Sequence, residues 1–197
     1  MQKIIVVSDI HINSYGSEKK AFLEFISTLK CDLLVINGDL FDLYLGKVDH
    51  DLLRKLPTFV YIKGNHDQDI DKCLGARDSY EIDDILIIHG HQFDWMIKIP
   101  RFTKTVVRAR YYIESTFKFN IKKFLMRNFS SIVTYLLSRA QTKAKLAFKG
   151  KRVIIGHTHL PICEDGMYNS GGFIDGITTY MELTKINNNW EIELKCM

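Results

Sequence analysis

Five times along this chain a short run of aliphatic and β-branched residues stops at Asp, Asn or His next to a small residue. Residues 3–7 run into Ser8-Asp9-Ile10-His11, residues 33–36 into Asn37-Gly38-Asp39, and residues 58–62 into Lys63-Gly64-Asn65-His66-Asp67. Residues 85–88 lead to His89-Gly90-His91, and residues 152–155 to Gly156-His157-Thr158-His159. Apolar runs of this length, bounded by polar turns, read as buried strands. Ligands of open α/β sheets bind at the carboxyl ends of the strands, so the pattern predicts that five strand ends converge on one polar site.

The remaining patterning fills in an α/β fold. A helix is expected over residues 17–30, with Ser17 as its N-cap and Phe22, Phe25, Ile26 and Leu29 on one face. Residues 173–183 and 190–194, around Asn187-Asn188-Asn189, read as a hairpin, and a second, partly antiparallel sheet follows. The expected fold class is α/β, with two packed mixed β-sheets flanked by helices. At 197 residues and 46% apolar content the chain can fill one core, so a single domain over 1–197 is expected. The four cysteines are scattered without C-x-x-C spacing, which suits reduced thiols and a cytoplasmic setting. The apolar run at residues 4–7 is too short for a signal peptide or a membrane span.

Charge is distributed unevenly. The net charge of +4 is modest, but residues 96–149 hold thirteen Lys and Arg against Glu114 alone, +12 by formal count (13 − 1), leaving −8 (4 − 12) for the rest. Apolar residues recur there at helical spacing, first from Phe102 through Leu125 and then from Phe129 through Ala140. Two amphipathic helices forming an insertion over residues 96–149 are expected. Its ends are tethered beside two of the polar motifs, so it should lie over or next to the site. It is either a solvated face on the body or a lid offering cations to phosphate groups, with Arg108 and Lys122 the candidate contacts, and an apolar groove to a lipid or a nucleobase.

The polar residues at the strand ends are carboxylate, amide and imidazole groups, the donors that hold hard and borderline divalent ions. In an extended loop, residues i and i+2 point the same way, so Asp9 with His11, and His157 with His159, can each reach one ion. Each motif alone is weak. Their conjunction, one after every strand, is not.

The ordered set Asp9-x-His11, Gly38-Asp39, Gly64-Asn65-His66-Asp67, His89-Gly90-His91 and Gly156-His157-x-His159 resembles the signature of the calcineurin-like metallophosphoesterase superfamily. The resemblance implies a four-layer αββα sandwich and two divalent ions, manganese by preference, with Fe²⁺, Zn²⁺ or Co²⁺ also compatible with the donors. It implies that Asp9, His11, Asp39 and His159 hold one ion and Asp39, Asn65, His89 and His157 the other, with a bridging hydroxide as nucleophile. His66 would protonate the leaving oxygen and Asp67 would orient it. His91 would stand behind the ligands or face substrate, and Asp42 either orients a ligand histidine or is a solvated loop residue. With the helical insertion and the Gly156-to-Pro161 and Tyr168-to-Gly172 segments, the chain also resembles the UDP-2,3-diacylglucosamine pyrophosphohydrolase branch, which commonly carries Arg where this chain has His66.

The implied activity is hydrolysis of a phosphodiester or pyrophosphate, in a lipid-linked or nucleotide-containing substrate. A nuclease using the basic helices, a protein phosphatase, and a binding scaffold like the retromer subunit of this fold are the alternatives. An anionic membrane surface is a further candidate partner for the insertion.

Overall fold

The computed structural model describes residues 2–70, 74–94, 100–164 and 166–197, with the side chains of residues 100–102 outside the description. Met96 and Lys98, at the expected start of the insertion, lie outside the described residues, as do Cys73 and the side chains of Arg101 and Phe102.

Each apolar run forms its strand. β1 (Gln2–Val7), β2 (Leu33–Asn37) and β3 (Phe59–Ile62) lie parallel, β1 beside β2 and β2 beside β3. β4 (Ser79–Ile82), β5 (Ile85–Ile88), β6 (Arg152–Ile155), β7 (Ile162–Glu164) and β8 (Met167–Asn169) make a second sheet in the order β4-β5-β6-β8-β7, parallel at its centre and antiparallel at both edges. The C-terminal hairpin, β10 (Ile177–Ile186) and β11 (Asn189–Cys196), joins the first sheet antiparallel to β1. Asn187 and Asn188, both at positive φ, close it in the two-residue turn that such strands favour.

Alternation along the strands sorts the residues into layers. Ile4, Val6 and Val35 face Ile85, Ile87 and Ile154 across the two sheets. Ile5, Val7, Leu34 and Ile36 face outward onto Phe22 and Phe25 of helix α1 (Lys19–Thr28) and Leu52 and Leu53 of helix α2 (His50–Leu53). Leu86, Ile88, Val153 and Ile155 back onto Ala144, on the second of two long helices, α3 (Pro100–Phe117) and α4 (Ile121–Ala147). The order helix, sheet, sheet, helix is the expected two-sheet sandwich.

Several local expectations are corrected. Helix α1 starts at Lys19, not 17, because Ser17 Oγ donates instead to the Ile10 carbonyl (2.7 Å), tying the helix approach to the Asp9 loop. The strand expected over 173–183 is two, β9 (Phe173–Ile174) and β10, folded back on each other at Asp175-Gly176, both at positive φ. The break in the insertion falls at residues 118–120, not 126–128. Lys118 takes a left-handed conformation, Asn120 caps α4 by accepting from the Lys123 N–H (2.7 Å), and Phe129 is only a kink inside α4. Glu114, the lone acid of this stretch, is buried and spans the break, accepting from Ile121 N and Arg110 Nε, both at 2.9 Å.

Candidate metal centre

The loops leaving β1 and β2 continue side by side beyond the strands: Asp9 N donates to Gly38 O (3.1 Å) and His11 N to Asp39 O (2.9 Å). Third in line is the β3 loop, where the His66 N–H donates to Asp39 Oδ1 (2.8 Å). From the other sheet, His157 N donates to Asp9 Oδ2 (2.9 Å), and His89 Nδ1 lies 2.7 Å from the Asn37 carbonyl. Those backbone bonds bring the side chains together. His159 Nε2 lies 3.2 Å from Asp9 Oδ1 and 3.2 Å from His11 Nε2, while His89 Nε2 lies 3.3 Å from both Asp39 Oδ2 and Asn65 Oδ1. Three groups have ligand atoms within 4.8 Å of one another: Asp9, His11 and His159; His11, Asp39 and His66; Asp39, His89 and His157.

The centre has three marks of a cation site. Asp9 Oδ1 is buried and makes no hydrogen bond, with only the ring nitrogens of His159 and His11 near it (3.2 and 3.7 Å), a costly state for a carboxylate oxygen unless a cation meets it. The backbone is forced: Asp9, His11, Asp39, His157 and His159 all have φ between +49° and +64°. Residues other than glycine seldom occupy that region, and where they do they mark functional sites. Finally, glycine is required for close approach, since a Cβ on Gly64 would collide with the Asp39 carboxylate and one on Gly156 would sit 2.5 Å from Asp9 Oδ2.

Electrostatics follow from the crowding. Burial pushes the Asp9 and Asp39 carboxyls up, but the imidazoles around them outweigh it and hold both well below the usual carboxylate range. Burial pulls His89 down, yet Asp39, and then Asp9, lift it to about 10. His66 is likewise raised, because Asp39 and Asp42 together overcome its burial.

A cavity of about 310 Å³ opens on the centre. His11, Asp39, Asn65, His66, His157 and His159 form its floor, and Val106, Val107 and Arg110 of α3 form part of its wall. All seven expected ligands, and His66, therefore meet in one place. The other expected residues divide. Asp67 is hydrogen-bonded away from His66: its buried carboxylate accepts from Gly64 N (2.8 Å), Leu40 N (3.0 Å) and the Tyr61 hydroxyl (2.5 Å), tying its own loop to strand β3 and to the β2 loop. The carboxylate at His66 is that of Asp42, 3.1 Å from Nδ1, so Asp42 is buried and braces a histidine of the centre. His91, turned away at Gly90, stacks behind His89 and is not part of the cavity lining, where burial and the His89 charge push it down to about 4. Arg108 is exposed and donates to the Tyr44 carbonyl (3.1 Å), so the α3 cation in the cavity wall is Arg110. Lys122 does reach the centre, its Nζ 2.7 Å from His159 Nδ1.

Besides Arg110, two residues escaped the sequence reading. Asp94 lies in the cavity wall with Oδ2 3.0 Å from His157 Nε2, and the Tyr44 hydroxyl donates to the Asn65 carbonyl (2.7 Å). Asp94 follows His91 by three residues, so a search for carboxylates just past the histidine pair would have found it. Nothing in the sequence singles out Tyr44.

The fold and site together define an α/β sandwich with a polar Asp, Asn and His centre where both sheets end. The calcineurin-like phosphoesterase family model matches residues 2–162, and the chain belongs to that family. None of the curated proteins matches it. Among solved structures, a single mutant of Vps29 from Entamoeba histolytica aligns over 100% of this chain and 99% of its own, at 16% identity and TM-score 0.51. A Thermotoga maritima protein solved by NMR aligns over the whole of both chains at 17% identity and TM-score 0.50. Yfce, a phosphoesterase from E. coli, covers 99% of each chain at 18% identity and TM-score 0.48. For the Vps29 mutant and the Thermotoga protein, at these identities, the likeness is one of fold.

Proposed function

We propose that this protein is a metal-dependent phosphoesterase that hydrolyses a phosphodiester or pyrophosphate bond at a dinuclear centre. The carrying observation is the convergence of the donor atoms around Asp39 on the floor of an open cavity, beside a buried Asp9 oxygen that makes no hydrogen bond. Asp9, His11, Asp39 and His159 would hold one divalent ion, and Asp39, Asn65, His89 and His157 the other. Such a pair supplies an activated water and neutralises charge on the phosphoryl oxygens. Mixed oxygen and nitrogen donors suit manganese, iron, zinc or cobalt, and manganese is the first to test.

The chain's own residues do the rest. His66 lines both the main cavity and a second one of about 240 Å³, so a leaving group in either lies beside it. With Asp42 against one ring nitrogen, the other can give a proton to the leaving oxygen. Arg110 and Lys122 flank the cavity and the centre as cations for the non-reacting phosphoryl oxygens. The apolar wall from α3 suits an amphiphilic ester, a lipid-linked pyrophosphate such as UDP-2,3-diacylglucosamine included.

Turnover of bis(p-nitrophenyl) phosphate by metal-stripped protein, with and without added Mn²⁺, tests the core reading. Activity is expected only with metal. His66→Asn should keep both ions yet lose about 10²- to 10⁴-fold on an alkyl diester, the usual contribution of general acid catalysis. A panel of nucleoside diphosphate sugars, lipid-linked pyrophosphates, cyclic nucleotides and oligonucleotides then ranks substrates. Metal-loaded protein that hydrolyses no activated phosphodiester would return the fold to the role of a binding scaffold.

A further inference from the structure

The feature that the catalytic reading leaves unused is the outer face of α3 and α4. Of the seventeen large apolar side chains left exposed among the described residues, thirteen lie on these two helices or the turn between them. Tyr112 is 70% exposed, Phe117 72% and Tyr135 64%. The buried residues of α4 are Ala140, Gln141 and Ala144, near its C-terminal end, and among the described residues Phe129, Ile132 and Leu136 stay at least half exposed. So many exposed apolar side chains gathered on two consecutive helices mark a binding face, not ordinary solvent-exposed helix.

We propose that this face docks on an anionic lipid surface. The first argument is charge. Residues 103–149 carry eleven Lys and Arg against Glu114 alone, and Glu114 is buried against Arg110, so the outer face displays cations without a carboxylate. Exposed Lys118, Lys123 and Arg127 alternate with Phe117, Phe124 and Phe129. A second copy would bring an equally cationic face against this one, and the repulsion disfavours a dimer through it. An acidic bilayer offers the opposite charge, and it also offers a place for the apolar side chains. The second argument is the kind of apolar residue. Ile113, Ile132 and Leu136 cannot stack on bases as aromatic rings do, so lipid fits the face better than single-stranded nucleic acid. Among the described residues no helix is long and apolar enough to cross a membrane, so the contact is one of surface docking. Val106 and Tyr111 belong both to this face and to the cavity wall, and docking would therefore turn the cavity toward the lipid headgroups.

The test uses the full chain loaded with Mn²⁺ and sedimented with vesicles of phosphatidylcholine alone or mixed with phosphatidylglycerol. The protein should pellet with the mixed vesicles and stay in solution with the neutral ones. Each cation near an anionic surface strengthens binding about five-fold, so the pair Lys118→Glu and Arg127→Glu should weaken it by roughly 25-fold or more. The pair Phe117→Asp and Ile132→Asp should abolish pelleting with an unchanged thermal melt, because both side chains are already exposed. Equal partition to both vesicle types, or to neither, overturns the proposal. So does a dimer in sedimentation equilibrium that dissociates on Phe117→Asp, or tighter binding of poly(U) than of the mixed vesicles.

Discussion

Gly156→Ala offers the sharpest probe of how the centre is built. The added Cβ would stand 2.5 Å from Asp9 Oδ2 and 2.7 Å from Ser8 Cβ. Non-bonded carbon contacts settle near about 3.5 Å, so one partner must move by roughly 1 Å. Ser8 and Asp9 are fully buried, and Asp9 is held in a left-handed backbone with its Oδ2 bonded to His157 N, so neither yields freely. Metal ligands tolerate displacements of only about 0.2 Å. Mn²⁺ affinity at the Asp9 site should therefore fall at least about 10- to 100-fold, the range seen when groups supporting a ligand are disturbed. Overpacking of this kind costs about 1–3 kcal/mol, which for a chain this long is a drop of roughly 2–12 °C in the chelator-treated melt. Calorimetric titration of Mn²⁺ beside melts in chelator separates the two effects. A lower melting temperature with unchanged Mn²⁺ affinity would refute the reasoning, because the strand end would then have yielded without moving Asp9.

Further outcomes follow from other contacts. Removing metal should lower the melting temperature: an ion present at about 100 times its Kd adds about 2.7 kcal/mol, or roughly 5–10 °C here, and Asp39→Asn should erase the difference in a melt series with Mn²⁺. Tyr61→Phe deletes the hydroxyl that donates to Asp67 and should cost about 1.5–3 kcal/mol by denaturant titration. Burial and Asp39 already push Asp67 up to about 6, and losing the hydroxyl raises it further. A carboxyl whose folded pKa exceeds its unfolded one loses stability as pH rises through the folded value, so the deficit should be larger near about pH 8 than near about pH 5. Lys122→Met should raise KM for a phosphodiester about ten-fold if its ammonium meets the substrate phosphate, whereas loss of Mn²⁺ affinity instead would assign it to support of His159.

The five strand ends were legible because each strand is buried on both faces where it reaches the site. Such strands leave continuous aliphatic runs with sharp polar ends, and Val6-Val7 into Ser8-Asp9 can be read no other way. The second sheet's edges were not legible. β4 is half exposed and mixed in character, and β7 is three residues long, so neither displays a period. The insertion was visible as helix, but its break was not. The Phe102-to-Leu125 spacing runs unbroken across Lys118 and Asn120, and only the Glu114 side chain, buried against Ile121 N, shows that the chain turns there. Asp67 was misread for a related reason: its neighbour in sequence is His66, but its carboxylate turns back to Gly64 and Tyr61 and across to Leu40 in the β2 loop.

What no residue pattern conveyed is the strain at the centre. Five of the seven proposed ligands hold a left-handed backbone, at a cost on the order of 1 kcal/mol each, comparable in sum to the net stability of an ordinary domain. Asp and His tolerate that conformation better than β-branched residues do, and each of the five lies two or four residues past a strand end. The neighbouring loops impose it. Asp9 N and His11 N are both bonded to the β2 loop, and His157 N is bonded to Asp9. The same bonds aim carboxylate and imidazole into a common space with an oxygen of Asp9 left without a hydrogen bond. A fold that needed only stability would relax these turns with glycine, as it does at Gly38 and Gly90. Keeping Asp and His there ties the strain to the function of the centre, and it makes ligand geometry, not the apolar core, the part of the molecule most exposed to small steric changes.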